Sequence, residues 1–237
     1  MTDTEIDEFE DFDSPDFQGN WGREDGNSYL DSMWGSHGFR QTKHADDLLV
    51  AHRMVQGFVN SFARDGYYRV TFDPQTKTAG TDLDRRLIVI TPSPVLDTSI
   101  TAQEAGRILT GMACHEVSHT RYGRNTAWAV KKAFPYSVTA RKLGNLLDDV
   151  RIERRYTDDY PGYGGVFTPT LKYIAGKDRS APKAKHMLNV AIVAIRYDEF
   201  TDWPNEMQAH RAYWIDWAER WCREDAPSRV VAAVREG

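Results

Sequence analysis

From residue 44 onward the apolar positions fall into two alternating periods. Between His44 and Arg64, Leu48, Val55, Phe58, Val59 and Phe62 recur at helical spacing, which predicts a helix stopped by Asp65-Gly66. The period then shortens to two. Tyr67–Phe72 alternates as a strand does, and Arg86–Thr91 (RLIVIT) predicts a second strand, ended by Pro92 and Pro94. The turn-rich stretch Asp73–Asp84 between them is expected to be a loop. Thr101-Ala-Gln-Glu104 has capping-box form and opens a helix expected to run to about His119. A further helix is expected over Thr139–Tyr156, with Pro135 before it and Pro161-Gly162 and Gly164-Gly165 after it. Helical segments follow at Thr170–Ala175, Pro182–Phe200 and Pro204–Arg223. The last carries Trp214, Trp217 and Trp221 at helical spacing, a stripe of the kind that builds a core. A helix-dominated body with a small sheet ahead of the helix that ends near His119 belongs to the α+β class.

Composition changes the picture most at the N-terminus. The chain has 237 residues, a formal net charge of −5 and two cysteines. Residues 1–31 hold eleven Asp/Glu and one basic residue, Arg23, so this segment carries −10 and residues 32–237 carry +5. Residues 1–36 show no sustained period and are expected to form an acidic tail, with residues 37–237 as a single domain whose C-terminal part is helical. Phe9, Phe12, Phe17 and Trp21 punctuate the tail, and such acidic–aromatic mixtures suit docking on the chain's own basic body or on a protein partner. The longest apolar run, Val190–Ile195, is far short of the ~20 residues that span a bilayer. The acidic start does not have the form of a secretory signal, and Cys114 with Cys222 cannot build a disulfide framework. These features predict a soluble, cytoplasmic protein without membrane association. Lys and Arg are dispersed over the body, so no nucleic-acid partner is expected.

The chemistry concentrates at His115-Glu116-Val117-Ser118-His119, an HExxH sequence. On a helix, residues i and i+4 share a face, so two imidazoles can grip one metal ion. Glu116 lies about 100° round the helix from His115, close enough to reach a water at the metal without taking a ligand position. A hydrolytic metal site needs a third protein ligand. The longer form of the motif places Gly three residues past the second His and another His three beyond, but Tyr122 and Asn125 stand there. The third ligand must therefore come from another element. In the next long helix, Asn145, Asp149 and Glu153 fall at spacing four as a polar stripe, while Leu146, Leu147, Val150 and Ile152 cover the other side. Carboxylates are costly to bury unless paired or bound to a cation, and such a stripe is explained if it faces a metal.

The pair HEVSH (115–119) and NLLDDVRIE (145–153) resembles the zincin metallopeptidases. More narrowly, it is similar to metallopeptidases of phages and prophages related to a cobalt-chelatase subunit, whose signature is HExxH followed by N-x-x-E-D-x-R-I-E. The likeness covers about residues 80–165. By position it implies Zn2+ held by His115 and His119, with Glu116 activating water. Asp148 stands where the family usually has Glu, so Asp149 is the acidic position kept to type and the expected third ligand, with Asp148 as the alternative. Related zincins often carry an acidic residue four positions beyond the ligand carboxylate that orients a ligating His, and Asp149 with Glu153 has that spacing. Asn145 and Glu153 are the expected supporting residues, and Arg151 is expected to pair with a nearby carboxylate. The implied function is a zinc metalloendopeptidase acting on a peptide or protein substrate, in the host cell's cytoplasm if phage-encoded. Tyr122, Tyr156, Tyr160 and Tyr163 are candidates to stabilise the oxyanion. The RLIVIT strand corresponds to the zincin edge strand that pairs with extended substrate backbone, or else is a plain core strand. Two other readings stand beside this one: a zincin-like scaffold without turnover, and an accessory subunit of a metal chelatase, the latter by fold analogy alone.

Overall fold

A computed structural model describes residues 43–64, 66–163, 165–176, 187–222 and 227–237. The expected acidic tail, 1–36, with its aromatic residues, lies outside them. The chain forms two compact units, 1–47 and 48–237; of the first, the start of one helix is described.

Helix α1 (Lys43–Phe62) buries Leu48, Ala51, Val55 and Val59, the four positions of one face. Strands β1 (Arg69–Phe72), β2 (Ala79–Asp82) and β3 (Leu87–Ile90) form one sheet in the order β1-β3-β2. β3 is parallel to β1, Arg69 opposite Leu87, and antiparallel to β2, Ala79 opposite Ile90. All four residues of β3 are buried, as expected of a strand covered on both faces. The Gln56 side chain closes the outer side of β1: its Nε2 donates to the Tyr68 carbonyl at 2.7 Å and its Oε1 accepts from Val70 N–H at 2.8 Å. An edge satisfied in this way is not open to another strand.

One expectation changes here, and one alternative is decided. The segment Asp73–Asp84 is not all loop, because β2 lies within it. Its sequence, AGTD, carries no apolar alternation, and pairing with β3 is what makes it a strand. Of the two roles open to RLIVIT, the core strand holds and the edge strand does not. It is the central strand, and β2 is an outer strand whose far edge pairs with no other strand among the described residues.

After a single turn, α2 (Ser93–Leu96), comes α3 (Ala102–Ser118), the helix of the HExxH sequence. Its capping box is complete: Glu104 N–H donates to Thr101 Oγ1 at 3.2 Å and Thr101 N–H to Glu104 Oε2 at 2.8 Å. Ile108, Leu109, Met112, Ala113 and Val117 are buried, so the motif end of the helix points inward. The chain then passes through a wide π-turn, His119–Gly123, straight into α4 (Arg124–Ala133), which the apolar pattern did not reveal because it buries little besides Thr126 and Val130. Helix α5 (Val138–Asp159) starts on Ser137, whose hydroxyl accepts from Ala140 N–H. Helices α6 (Phe167–Ala175), α7 (Met187–Arg196), α8 (Gln208–Trp221) and α9 (Pro227–Glu236) follow. Residues 182–186 of the expected Pro182–Phe200 helix are outside the described residues, and its far end is a separate 3-10 turn, Asp198–Phe200. The next expected helix likewise opens with a 3-10 turn, Asn205–Met207.

Two apolar clusters hold these elements. The first joins α1, the sheet and the inner face of α3. The second joins Leu143, Leu146 and Leu147 of α5 to α7, α8 and α9. The tryptophan stripe serves this second core: Trp217 is fully buried and Trp214 meets it edge-on, ring centroids 5.5 Å apart. α5 runs through both clusters, placing Leu147 in the helical core and Tyr156 in the other. α3 and α6 pack close together at Gly111, where an added Cβ would stand 2.1 Å from Thr170 Oγ1 and 2.5 Å from the Val166 carbonyl oxygen. The fold is α+β, helix-dominated with one small sheet. Among the described residues, no helix is long and apolar enough to cross a membrane.

Candidate metal centre

The HExxH end of α3 faces the middle of α5, and three donor atoms meet there. His115 Nε2 and His119 Nε2 are 3.2 Å apart, Asp149 Oδ1 is 3.3 Å from the second and 3.7 Å from the first. These are the separations of three corners of a tetrahedron about 2 Å from a shared centre. Among the described residues, His115, His119 and Asp149 are the group able to hold a metal ion.

The proton arrangement argues for a cation. Glu153 Oε1 lies 2.7 Å from His115 Nδ1 and favours a proton there, so that when the ring is neutral its lone pair sits at Nε2. That lone pair faces a second imidazole nitrogen and a carboxylate oxygen. Asp149 Oδ1 is buried and has no hydrogen-bond partner among the described residues. Three electron-rich atoms turned on one point repel unless a proton or a metal ion stands between them.

The electrostatics of the site reflect this crowding. Burial works against charging either imidazole. Even so, the Glu153 bond and the charges of Asp149 and Glu116 push the His115 pKa up to about 9. His119 is raised as well, against burial and against the neighbouring His115, by Asp149. Burial raises the carboxyls of Asp149 and Glu153, yet both end lower than usual. The two imidazoles hold Asp149 down, and Arg196 with His115 brings Glu153 to about 2.

Arg196, at the end of α7, is the buttress of this arrangement. Its guanidinium donates to both oxygens of Glu153, at 2.7 and 2.6 Å, with both side chains 12% exposed. A chain Arg196–Glu153–His115 thus fixes one ring from behind.

Glu116 is buried on the same helix, and Oε2 accepts a 2.7 Å hydrogen bond from the hydroxyl of Thr81 on β2. Its Oε1 makes no hydrogen bond among the described residues.

Asp148 points elsewhere. Its Oδ1 receives two bonds from Arg151, at 2.7 and 3.0 Å, in a pair that is nearly fully buried. Arg151 also donates to the Tyr122 carbonyl at 2.8 Å and to Thr126 Oγ1 at 3.1 Å, so the expected carboxylate partner of Arg151 is Asp148 and the pair clamps α5 to the π-turn and α4. The choice between the two aspartates therefore falls on Asp149. The π-turn brings its backbone close to the site at Gly123, where a Cβ would lie 3.0 Å from His119 Nδ1 and 3.2 Å from Asp148 Oδ2. Such turns within helices often mark functional positions.

Asn145 does not join the group. It stands one helical turn, about 5.4 Å, before Asp149 and is exposed to solvent. Tyr122 donates to Asp159 at 2.6 Å, the hydroxyl of Tyr156 meets the Cys114 thiol in the core, and Tyr160 and Tyr163 pack edge-on against Phe62. Thr81 and Arg196 were missed by the sequence reading. Thr81 sits in a stretch with no strand signal, and Arg196 lies 43 residues from its partner Glu153. Comparison with protein-family models, with curated proteins and with solved structures finds no match to this chain.

Proposed function

We propose that the protein is a zinc-dependent metalloendopeptidase. The observation that carries this reading is the convergence of His115, His119 and Asp149 beside a buried glutamate on the same helix. Two neutral imidazoles and one carboxylate at near-tetrahedral spacing suit zinc better than magnesium or calcium, which prefer all-oxygen sites. His115, His119 and Asp149 would hold the ion, which supplies Lewis acidity and makes water acidic enough to be deprotonated near pH 7.

The chain's own residues supply the remaining chemistry. Glu116 takes the proton of the attacking water and passes it to the leaving amine. Thr81 occupies Oε2 of that carboxylate, and Oε1 is left for the transfer. Glu153, backed by Arg196, keeps the His115 ring in one orientation and one tautomer. β2 lies beside the motif helix with its outer edge unpaired among the described residues, and an extended peptide can add to such an edge through main-chain hydrogen bonds. The likeness of HEVSH and NLLDDVRIE to the phage-type zincins supports the same reading.

The test measures zinc per chain in the wild type and in His119→Ala, then peptide-library cleavage by the wild type and by Glu116→Gln. We expect one zinc in the wild type, loss of zinc in His119→Ala, and loss of cleavage with zinc retained in Glu116→Gln. A wild type that takes up no zinc overturns the reading. Full zinc with no cleavage under any condition favours a zincin-like scaffold instead.

A further inference from the structure

We propose that Thr81 is a positioning residue for Glu116, and that it ties the aim of this base to the strand on which a peptide docks. The inference rests on the peptidase reading above. Its starting point is the 2.7 Å bond from Thr81 Oγ1 to Glu116 Oε2. The same hydroxyl lies 3.3 Å from the Glu116 carbonyl oxygen, and since it has one hydrogen, the shorter contact to the charged acceptor takes it. Glu116 is 3% exposed, so its carboxylate has little water to hold it and depends on this donor for its rotation. Thr81 is β-branched and its χ1 is restricted, so the hydroxyl goes where the strand backbone sends it.

The register of the hairpin gives Thr81 a second role. Thr91 N–H donates to the Thr78 carbonyl at 2.8 Å, which marks 78 and 91 as a bonded pair of the antiparallel ladder. Bonded and non-bonded pairs alternate, so Gly80/Val89 and Asp82/Leu87 are bonded while Ala79/Ile90 and Thr81/Ile88 are not. The N–H and C=O of Thr81 therefore point away from β3, toward the outer edge. One residue presents its main chain to an incoming peptide and its side chain to the base. A peptide paired at that edge immobilises the Thr81 backbone, hence its hydroxyl, hence the Glu116 carboxylate. Alignment gained in this way appears in the chemical step and not in substrate affinity.

The experiment uses the zinc-loaded full chain and compares wild type, Thr81→Val and Thr81→Ser. Losing a hydrogen bond to a buried charged group predicts a fall in kcat of about 10- to 100-fold in Thr81→Val. KM stays within about twofold and zinc stays at one per chain, while Thr81→Ser returns kcat to near the wild type. Thr81→Ala removes the same hydroxyl and repeats the test should the valine variant fail to fold. A second readout needs no turnover. In the metal-free protein, the Glu116 carboxyl 13C resonance, assigned by its loss in Glu116→Gln, shifts in Thr81→Val and returns in Thr81→Ser. Unchanged kcat in Thr81→Val, a serine variant as slow as the valine one, or an unmoved Glu116 resonance overturns the proposal. A wild type that cleaves nothing overturns the peptidase reading, and the resonance still decides whether Thr81 holds Glu116.

Discussion

Replacing Arg196 by methionine removes the guanidinium behind Glu153 while keeping most of the side-chain volume. Glu153 would then be buried with His115 as its remaining partner, having lost bonds of 2.7 and 2.6 Å. Breaking a buried ion pair by deleting one partner costs about 3–5 kcal/mol. The carboxyl gives a second measure. Its fall from 4.5 to about 2 is worth about 3 kcal/mol, and His115 supplies part of that. We therefore expect a loss of about 2–3 kcal/mol, which for a domain of this size lowers Tm by roughly 4–12 °C. The ring of His115 also loses its fixed partner, and zinc affinity should fall by about 10- to 100-fold. Thermal melts of the metal-free protein at pH 7 read the first effect, and a competition titration with a chelator reads the second. The double variant Arg196→Met/Glu153→Gln should melt higher than Arg196→Met alone, because no uncompensated carboxylate remains. A single variant melting within about 1 °C of wild type, with unchanged zinc affinity, would refute the buttress argument.

The two aspartates should separate cleanly. Asp149→Asn is expected to lose zinc while folding normally, as seen by metal analysis and circular dichroism. Asp148→Asn should retain the three donors but lose about 3 kcal/mol by leaving Arg151 buried without its carboxylate, read from denaturant melts. Stability of the metal-free protein should peak between about pH 4.5 and 6.5. The contribution of His115 is complete below its ordinary 6.5 and is lost as pH rises to about 9, and that of Glu153 is complete above 4.5 and is lost as pH falls toward 2. Melts across this range check the signs, and a metal-free protein that stays equally stable up to pH 9 would contradict them. Added zinc should stabilise more at pH 8 than at pH 5.5, because the ligands must release their protons to bind it. Gly111→Ala is expected to destabilise by about 3 kcal/mol or more, since the Val166 carbonyl at 2.5 Å is backbone and cannot swing aside.

The helix of the HExxH sequence was legible because everything that defines it is local. A capping box at Thr101 and Glu104, an apolar face through Met112 and two histidines one turn apart are properties of a single helix, and periodicity alone reports them. The stripe on α5 was legible for the same reason, and it yielded Asp149 and Glu153. It also named Asn145, which shares their face of the helix but stands a turn away from the histidines, because packing selects a short length of a stripe and not the whole of it. Asp148 and Asp149 are neighbours about 100° apart on one helix. Which of them meets the imidazoles was set by the clamp of Arg151 on Tyr122 and Thr126, contacts that exist once α4 and the π-turn are in place. The sheet shows the same division. RLIVIT announced a buried strand, but its central place and the existence of β2 are pairing facts, made by hydrogen bonds between segments with no apolar period in common. Thr81 and Arg196 belong to that second class. A hydroxyl 35 residues before Glu116 and a guanidinium 43 residues after Glu153 acquire their roles from distance in space. The sequence by itself determined which side chains could do the chemistry, since helical spacing sets His115 with His119 on one helix and Asp149 with Glu153 on another. Tertiary structure decided which of them meet, and what holds each one still.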